Sequence, residues 1–279
     1  MKTDPDSGNS DSGNSEIKAR LQLAVEAGKE AGKQTLGHFC QGVAVQRKSD
    51  DSPVTIADQQ AEQHLRQRIC DAFPEDAILG EEYGDRKGSS GFRWILDPID
   101  GTKSFITGVP LYGTMVGVEV DGRAEIGFVY CPALSEGIYA HRGGGAWHIR
   151  CDDPPQPARV SDVKSLSDGA FLTSQADTFA ERGADDVFSQ LQSAAYITRT
   201  WGDCYGYLLV ATGRALAMVD PIMNIWDAAA LQPIMEEAGG TFTDWQGNPT
   251  IDAGEGIGTN GHVLEEVLAM TRHAPPLNS

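Results

Sequence analysis

The hydrophobic period changes twice along this chain, and the order of the changes limits the folds open to it. Before Pro74 the period is helical. Ile17, Leu21, Ala24, Ala31 and Phe39 approximate one apolar face, with Ser15 placed to cap the helix and Glu16 to complement its dipole. A second helix is predicted over about 56–73. There Ala57, Ala61, Leu65, Ile69 and Phe73 recur every four residues, and Pro74 stops it. Strand signals then take over at 92–96, 112–120 and 123–131, with Asp121-Gly122 as a hairpin turn between the last two. Strands 136–141 and 146–150 flank Gly143-Gly144-Gly145 in another hairpin. After a proline-rich stretch at 152–157, strands (170–173, 196–200, 215–219) alternate with helices (about 178–193, 203–212, 227–238, 262–271). This order predicts an α+β half over 16–155, with helices and an antiparallel sheet, followed by an α/β half over 156–273.

Ahead of the first helix, residues 6–10 and 11–15 are the same pentapeptide, Asp-Ser-Gly-Asn-Ser. A polar, Gly-rich segment of this kind has nothing to bury, so 1–15 reads as a disordered acidic tail.

Charge and composition exclude several functions. With 40 Asp+Glu against 22 Lys+Arg, the formal charge is −18. Nucleic acid and anionic membrane surfaces repel such a chain unless it has a basic patch, and no three Lys or Arg occur in a row. The apolar runs fall well short of the ~18 residues that span a bilayer. No apolar stretch near the start resembles a secretory signal, so the expected location is cytoplasmic. Cys40, Cys70, Cys131, Cys151 and Cys204 form no CxxC pair, and an odd, dispersed set reads as buried thiols in a reducing compartment.

The chemistry concentrates in Gly80-Glu81-Glu82-Tyr83-Gly84 and in Trp94-Ile95-Leu96-Asp97-Pro98-Ile99-Asp100-Gly101-Thr102. Residues 94–96 read as a buried strand. Asp97 sits at its end, Pro98 forbids continuation of the ladder, and Gly101 permits a tight turn into a short helix. Two carboxylates three residues apart therefore stand beside a helix N-terminus. Hard divalent cations take oxygen ligands, and helix N–H groups receive anions, so metal and phosphate can share the place. The plainer alternative is a charged turn in which Asp97 or Asp100 caps a helix. No phosphate-binding P-loop follows Gly143–Gly145, and no Gly-x-Ser-x-Gly nucleophile elbow is present.

These two segments, together with Trp226-Asp227, resemble the inositol monophosphatase superfamily of magnesium-dependent, lithium-sensitive phosphatases. The stretches 103–108, 200–207 and 220–227 are more similar to its histidinol-phosphatase branch. The resemblance spans about 16–272 and implies an αβαβα layered sandwich, a homodimer, and two to three Mg²⁺ ions per site. It assigns Glu81, Asp97 and the Ile99 carbonyl to one ion, and Asp97, Asp100 and Asp227 to a second, with a third near Glu81. Asp58 and Thr102, with Glu81, would be catalytic, the first two orienting the attacking water. Gly101 and Thr102 would hold the phosphate. Asp220, seven residues before Asp227, falls where the family has a substrate-contacting acid, and Asp203 is the other candidate for binding a cationic amine. The competing reading of Asp58 is an acid that complements its helix start. That of Asp227 is the same, and that of Asp203 is an N-cap.

The function so implied is hydrolysis of a phosphate monoester by direct attack of water, with L-histidinol phosphate as the substrate and histidine biosynthesis as the context. An inositol or broad sugar-phosphate monophosphatase is the nearest alternative, and a bisphosphate nucleotidase a further one. A catalytically silent binding or scaffold protein is the alternative of another class.

Overall fold

The computed structural model describes residues 9–42, 44–47, 53–275 and 277. Helix α1 (Asn9–Thr35) precedes a small hairpin of β1 (Gln46–Arg47) and β2 (Pro53–Val54), and α2 (Ile56–Ala72) follows. Next come β3 (Ala77–Gly80), β4 (Gly84–Arg86), β5 (Phe92–Asp100), α3 (Thr102–Thr107), β6 (Gly113–Val120), β7 (Arg123–Cys131), β8 (Glu136–His141), β9 (Ala146–Arg150) and β10 (Gln156–Pro157). The remainder is β11 (Ala170–Leu172), α4 (Asp177–Glu181), α5 (Asp185–Ala194), β12 (Ile197–Arg199), α6 (Cys204–Ala211) and β13 (Ala217–Asp220). It closes with α7 (Ile225–Ala228), α8 (Leu231–Glu237), β14 (Thr241–Thr243), β15 (Gly256–Thr259) and α9 (Leu264–Thr271).

Two sheets organise the chain. Eight strands pair in the order β10-β9-β8-β7-β6-β5-β3-β4, and five in the order β12-β11-β13-β15-β14. On the outer face of the first sheet, Leu23, Ala24, Ala27 and Ala31 of α1 and Leu65 and Ile69 of α2 bury against Phe128 and Trp94. Gly28 lets α1 approach closely, because a Cβ there would lie 2.3 Å from the Phe128 ring. Between the sheets, Leu208 of α6 and Leu231, Ile234 and Met235 of α8 join Met115 and Val129 on one side to Met218 and Phe242 on the other. Outside the second sheet, Val187 and Leu191 of α5 pack with Val267 and Leu268 of α9. The layers are therefore αβαβα, with apolar surface buried on both faces of each sheet.

Several elements differ from expectation. Asn9 opens α1, six residues ahead of Ser15. Extending an existing helix forms one hydrogen bond per residue fixed, whereas starting one is costly, so a strong helix carries weak formers at its end. Residues 1–8 of the expected tail lie outside the described residues. Strand β5 does not stop at Leu96 but runs to Asp100 through an irregularity between Asp97 and Asp100, where Pro98 is accommodated without a ladder bond. The first sheet is mixed, since β3 runs parallel to β5, and the pair Gln156–Pro157 still belongs to it. The helix predicted over 178–193 is two, because Gly183 at φ +74° ends α4. The one predicted over 227–238 also divides. Pro233 has no N–H to bond back to residue 229, so it fits only in the first turn of a new helix, α8. All five cysteines are free thiols, yet only Cys131 and Cys204 are buried.

Candidate active site

The site assembles where β5 of the first sheet meets β13, α6 and α7 of the second half. Asp97 and Asp100 flank the irregular step of β5, which carries both carboxylates towards α7. Asp227 is the third residue of α7, held by a reciprocal cap in which the Asn224 N–H donates to Asp227 Oδ2 at 2.7 Å. Asp97, Asp100 and Asp227 each offer an oxygen within 4.8 Å of the others, although they come from opposite halves of the chain. Asp100 also accepts a hydrogen bond from the backbone N–H of Cys204, which ties α6 to β5. Glu81 follows β3, the parallel neighbour of β5, and its charge bears on both Asp97 and Asp227.

The electrostatics are those of a cation site. Burial first, then the charges of Glu81, Asp100 and Asp227, push the Asp97 carboxyl well above the usual range. Burial and the charges of Asp203 and Asp227 do the same to Asp100. Asp227 is pushed up to about 7, mainly by burial, with Glu81 adding to it. Buried acids that repel one another are costly unless a cation or protons neutralise them. Asp97 Oδ1 is buried with no hydrogen-bond partner, an acceptor left for a ligand. An all-oxygen donor set of this kind fits a hard divalent ion.

Asp58 lies at the start of α2, 1% exposed. Thr55 caps this helix and closes a reciprocal box with it: Thr55 N–H and Oγ1–H donate to Asp58 Oδ2 at 2.8 and 2.6 Å, and Ala57 N–H donates to Thr55 Oγ1 at 3.1 Å. Burial raises the Asp58 carboxyl above its ordinary value, and Oδ1 is a second buried oxygen with no partner. Thr102 opens α3, and its hydroxyl donates to the Ile99 carbonyl at 3.1 Å. Gly101 between them is at φ +84°, the left-handed conformation that turns β5 into α3.

Two adjoining cavities open from these residues. One, of about 250 Å³, is lined by Glu81, Gly101, Thr102, Lys103 and Ser104 among others. The second, of about 290 Å³, is lined by Asp100, Asp227, Asp220, Tyr207, Thr178 and Glu181 among others. Ser174, Gln175 and Asp203 line both. Asp203 has φ +53° and ψ −153°, a region that residues with a Cβ rarely occupy. Its carboxylate stands against Gly101, where a Cβ would come within 2.7 Å of Asp203 Oδ2. The competing cap reading is not borne out: no side-chain hydrogen bond joins Asp203 to α6. Burial and the Asp220 charge raise the Asp203 carboxyl to about 7, partly offset by Lys103. Asp220 is 4% exposed and held by Ser174 N–H at 2.8 Å, Tyr207 O–H at 3.1 Å and Thr173 Oγ1–H at 3.3 Å.

A sequence model of the inositol monophosphatase family matches residues 16–275. The chain belongs to the inositol monophosphatase family. Among curated members, the histidinol-phosphatase of Chlorobaculum parvum is 44% identical over 238 residues, 85% of this chain and 90% of its own length. The histidinol-phosphatase of Streptomyces coelicolor is 35% identical and covers 89% of this chain and 95% of its own. Among solved structures, the extragenic suppressor protein suhB from Bartonella henselae superposes with a TM-score of 0.84 at 26% identity, covering 91% of this chain and 99% of its own. As a member of this family the chain is a phosphoric monoester hydrolase, acting on a phosphate-monoester substrate. No described helix is long and apolar enough to cross a membrane.

Sequence reasoning named the acids but not the hydrogen bonds that support them. Thr55, Ser174, Gln175 and Tyr207 all contact or line the site. Ser174 carried a weak signal, a short polar residue just past a predicted strand, and Thr55 was legible as a cap. Gln175, which accepts a hydrogen bond from Lys103 across the two halves, had no sequence signal.

Proposed function

We propose that this phosphatase hydrolyses L-histidinol phosphate to L-histidinol and phosphate with Mg²⁺ as its cofactor. The carrying observation is one shared wall. Asp203, an acid in a strained backbone conformation, stands between the cavity at Gly101 and Thr102 and the cavity at Asp220. The phosphate belongs on the first side and a cationic alcohol on the second. The two histidinol-phosphatases at 44% and 35% identity support the same substrate.

Glu81, Asp97, the Ile99 carbonyl, Asp100 and Asp227 would hold two to three Mg²⁺. Mg²⁺ supplies neutralisation of the phosphate charge and acidification of water. The chain's own groups do the rest. The N–H groups of Gly101 and Thr102 hold the phosphate, with the residue at 101 in the left-handed conformation that β5 needs to turn there. Asp58 keeps one oxygen bonded to Thr55 and leaves the other open, so it can accept the proton of an attacking water, oriented with Thr102. No side-chain nucleophile is required. A substrate ammonium beside Asp203 favours the ionised carboxylate and adds to the partial compensation that Lys103 gives.

Phosphate release by the purified protein tests this, with histidinol phosphate, inositol 1-phosphate and glycerol phosphate compared with and without Mg²⁺ and Li⁺. We expect Mg²⁺ dependence, Li⁺ inhibition and the highest kcat/KM on histidinol phosphate. A wide preference for inositol phosphate would assign the chain to the inositol branch instead. In Asp203→Asn, KM for histidinol phosphate should rise with little change for glycerol phosphate.

A further inference from the structure

Glu62 is a carboxylate with no exposure at all, one turn after Asp58 on α2, and the proposed mechanism does not use it. Its Oε2 accepts the Glu82 N–H at 2.7 Å, and its Oε1 accepts the Tyr83 N–H at 3.2 Å and Arg66 Nε–H at 2.7 Å. Arg66 then donates to the Gly84 carbonyl at the far end of the same turn. At the near end, a Cβ on Gly80 would lie 2.0 Å from Glu62 Oε1, so a side chain there would push the carboxylate off its donors. The turn from 80 to 84 is thus held, through the N–H groups of Glu82 and Tyr83 and the carbonyl of Gly84, by one half-buried ion pair on α2. Glu81 lies within that turn, and its backbone N–H also bonds the Leu96 carbonyl of β5 at 3.2 Å.

We propose that Glu62, with Arg66, is a positioning residue that sets the affinity of the Glu81 carboxylate for the cofactor cation. A buried charge of this kind is costly, and its net worth to folding is small when paired. What the pair does secure is geometry. Both Glu62 oxygens accept N–H groups of the turn, so rotating Glu81 away from Asp97 would strip donors from a carboxylate that is itself fully buried. The same helix carries Asp58 one turn earlier, so α2 holds the proton acceptor and the Glu81 turn in fixed relation. Groups that orient ligands from behind typically change metal affinity by about 10- to 100-fold when removed. The inference rests on the reading of Glu81 as a cation ligand.

Glu62→Gln is the discriminating variant, since it keeps the shape but turns one acceptor into a donor facing N–H groups. Two readouts are needed: the Mg²⁺ concentration at half of the thermal shift, measured without substrate, and that at half of full activity. We expect both midpoints to rise about tenfold, with kcat at saturating Mg²⁺ within about threefold and the metal-free melting temperature only slightly lower. Arg66→Lys, which loses the Gly84 contact, should move the midpoints the same way and serves if Glu62→Gln does not fold. Arg20→Gln, breaking the buried Arg20–Asp76 pair far from the turn, should lower melting temperature and leave the Mg²⁺ midpoints unchanged. Unmoved midpoints in both Glu62→Gln and Arg66→Lys would overturn the proposal. Unmoved midpoints in Glu81→Gln would instead overturn the ligand reading beneath it.

Discussion

At the scale of the residue, the site is a set of groups held in states that folding alone disfavours. Asp97 is buried beside other acids, and one of its oxygens has no partner. Asp97→Asn should therefore raise the melting temperature of the metal-free protein while cutting phosphate release at least a hundredfold. Thermal melts in EDTA beside an activity assay check both halves. Asp203 is the second case. Glycine adopts its φ of +53° and ψ of −153° without strain, and strain of this kind costs about 1–3 kcal/mol. Asp203→Gly should gain about 1 kcal/mol, seen as a melting temperature higher by about 2–4 °C, yet lose preference for histidinol phosphate over glycerol phosphate. A fall in stability would show that the Asp203 carboxylate, not its backbone, decides the energy there. Both residues were legible in the chain as acids near turns. Their burial and strain were not, because neither is a property of the local sequence.

At the scale of the element, α2 is the best-determined part of the site. Asp58 is legible as an acid near the start of the predicted helix, and the structure closes a capping box between it and Thr55. Thr55→Ala should cost about 1 kcal/mol, a usual loss for a cap, and should lower kcat more than it raises KM, since Asp58 Oδ2 loses the hydroxyl donor and keeps only the backbone N–H of residue 55. Comparing kcat and KM with the denaturation midpoint separates the two effects. Strand β5 was less legible. Pro98 argues for a stop at Leu96, and by local rules that is sound. The strand continues because β6 holds it on both sides of the irregularity, with Asp97 opposite Met115 and Asp100 opposite Gly113. The helices predicted over 178–193 and 227–238 each divide in two for a related reason. A 3.6-residue apolar period persists across a break when both pieces pack on the same sheet.

At the scale of the whole molecule, the layers must approach closely for Asp227 to reach Asp97 and Asp100. Gly117 of β6 and Gly127 of β7 face each other across the strands and receive the chain between α7 and α8. A Cβ on Gly127 would lie 2.0 Å from the Ala230 carbonyl oxygen, a backbone atom that cannot swing aside. Gly127→Ala should cost about 1–3 kcal/mol by overpacking, measurable by urea denaturation, and should weaken Mg²⁺ binding by displacing Asp227. The acids of the site also give a pH signature. Asp227 rises from the ordinary 3.8 to about 7 on folding, and Asp97 and Asp100 rise as well. Between those values the unfolded chain binds fewer protons, so stability of the metal-free protein falls as pH rises through that window. Mg²⁺ displaces the protons, so the melting temperature gained with saturating Mg²⁺ should be larger at pH 8 than at pH 5.5. An equal gain at both pH values would mean that the acids are already ionised without metal. The chain by itself determined the order of helices and strands, the identity of the acids and the turn chemistry around Gly101, because these follow from period, side-chain charge and φ preference within a few residues. Only the tertiary structure decided which acids meet. Asp227 lies 127 residues beyond Asp100, and nothing local to either encodes their proximity. That proximity comes from packing two sheets on one shared helical layer, where the loss of apolar surface from water outweighs the repulsion of the carboxylates gathered between them.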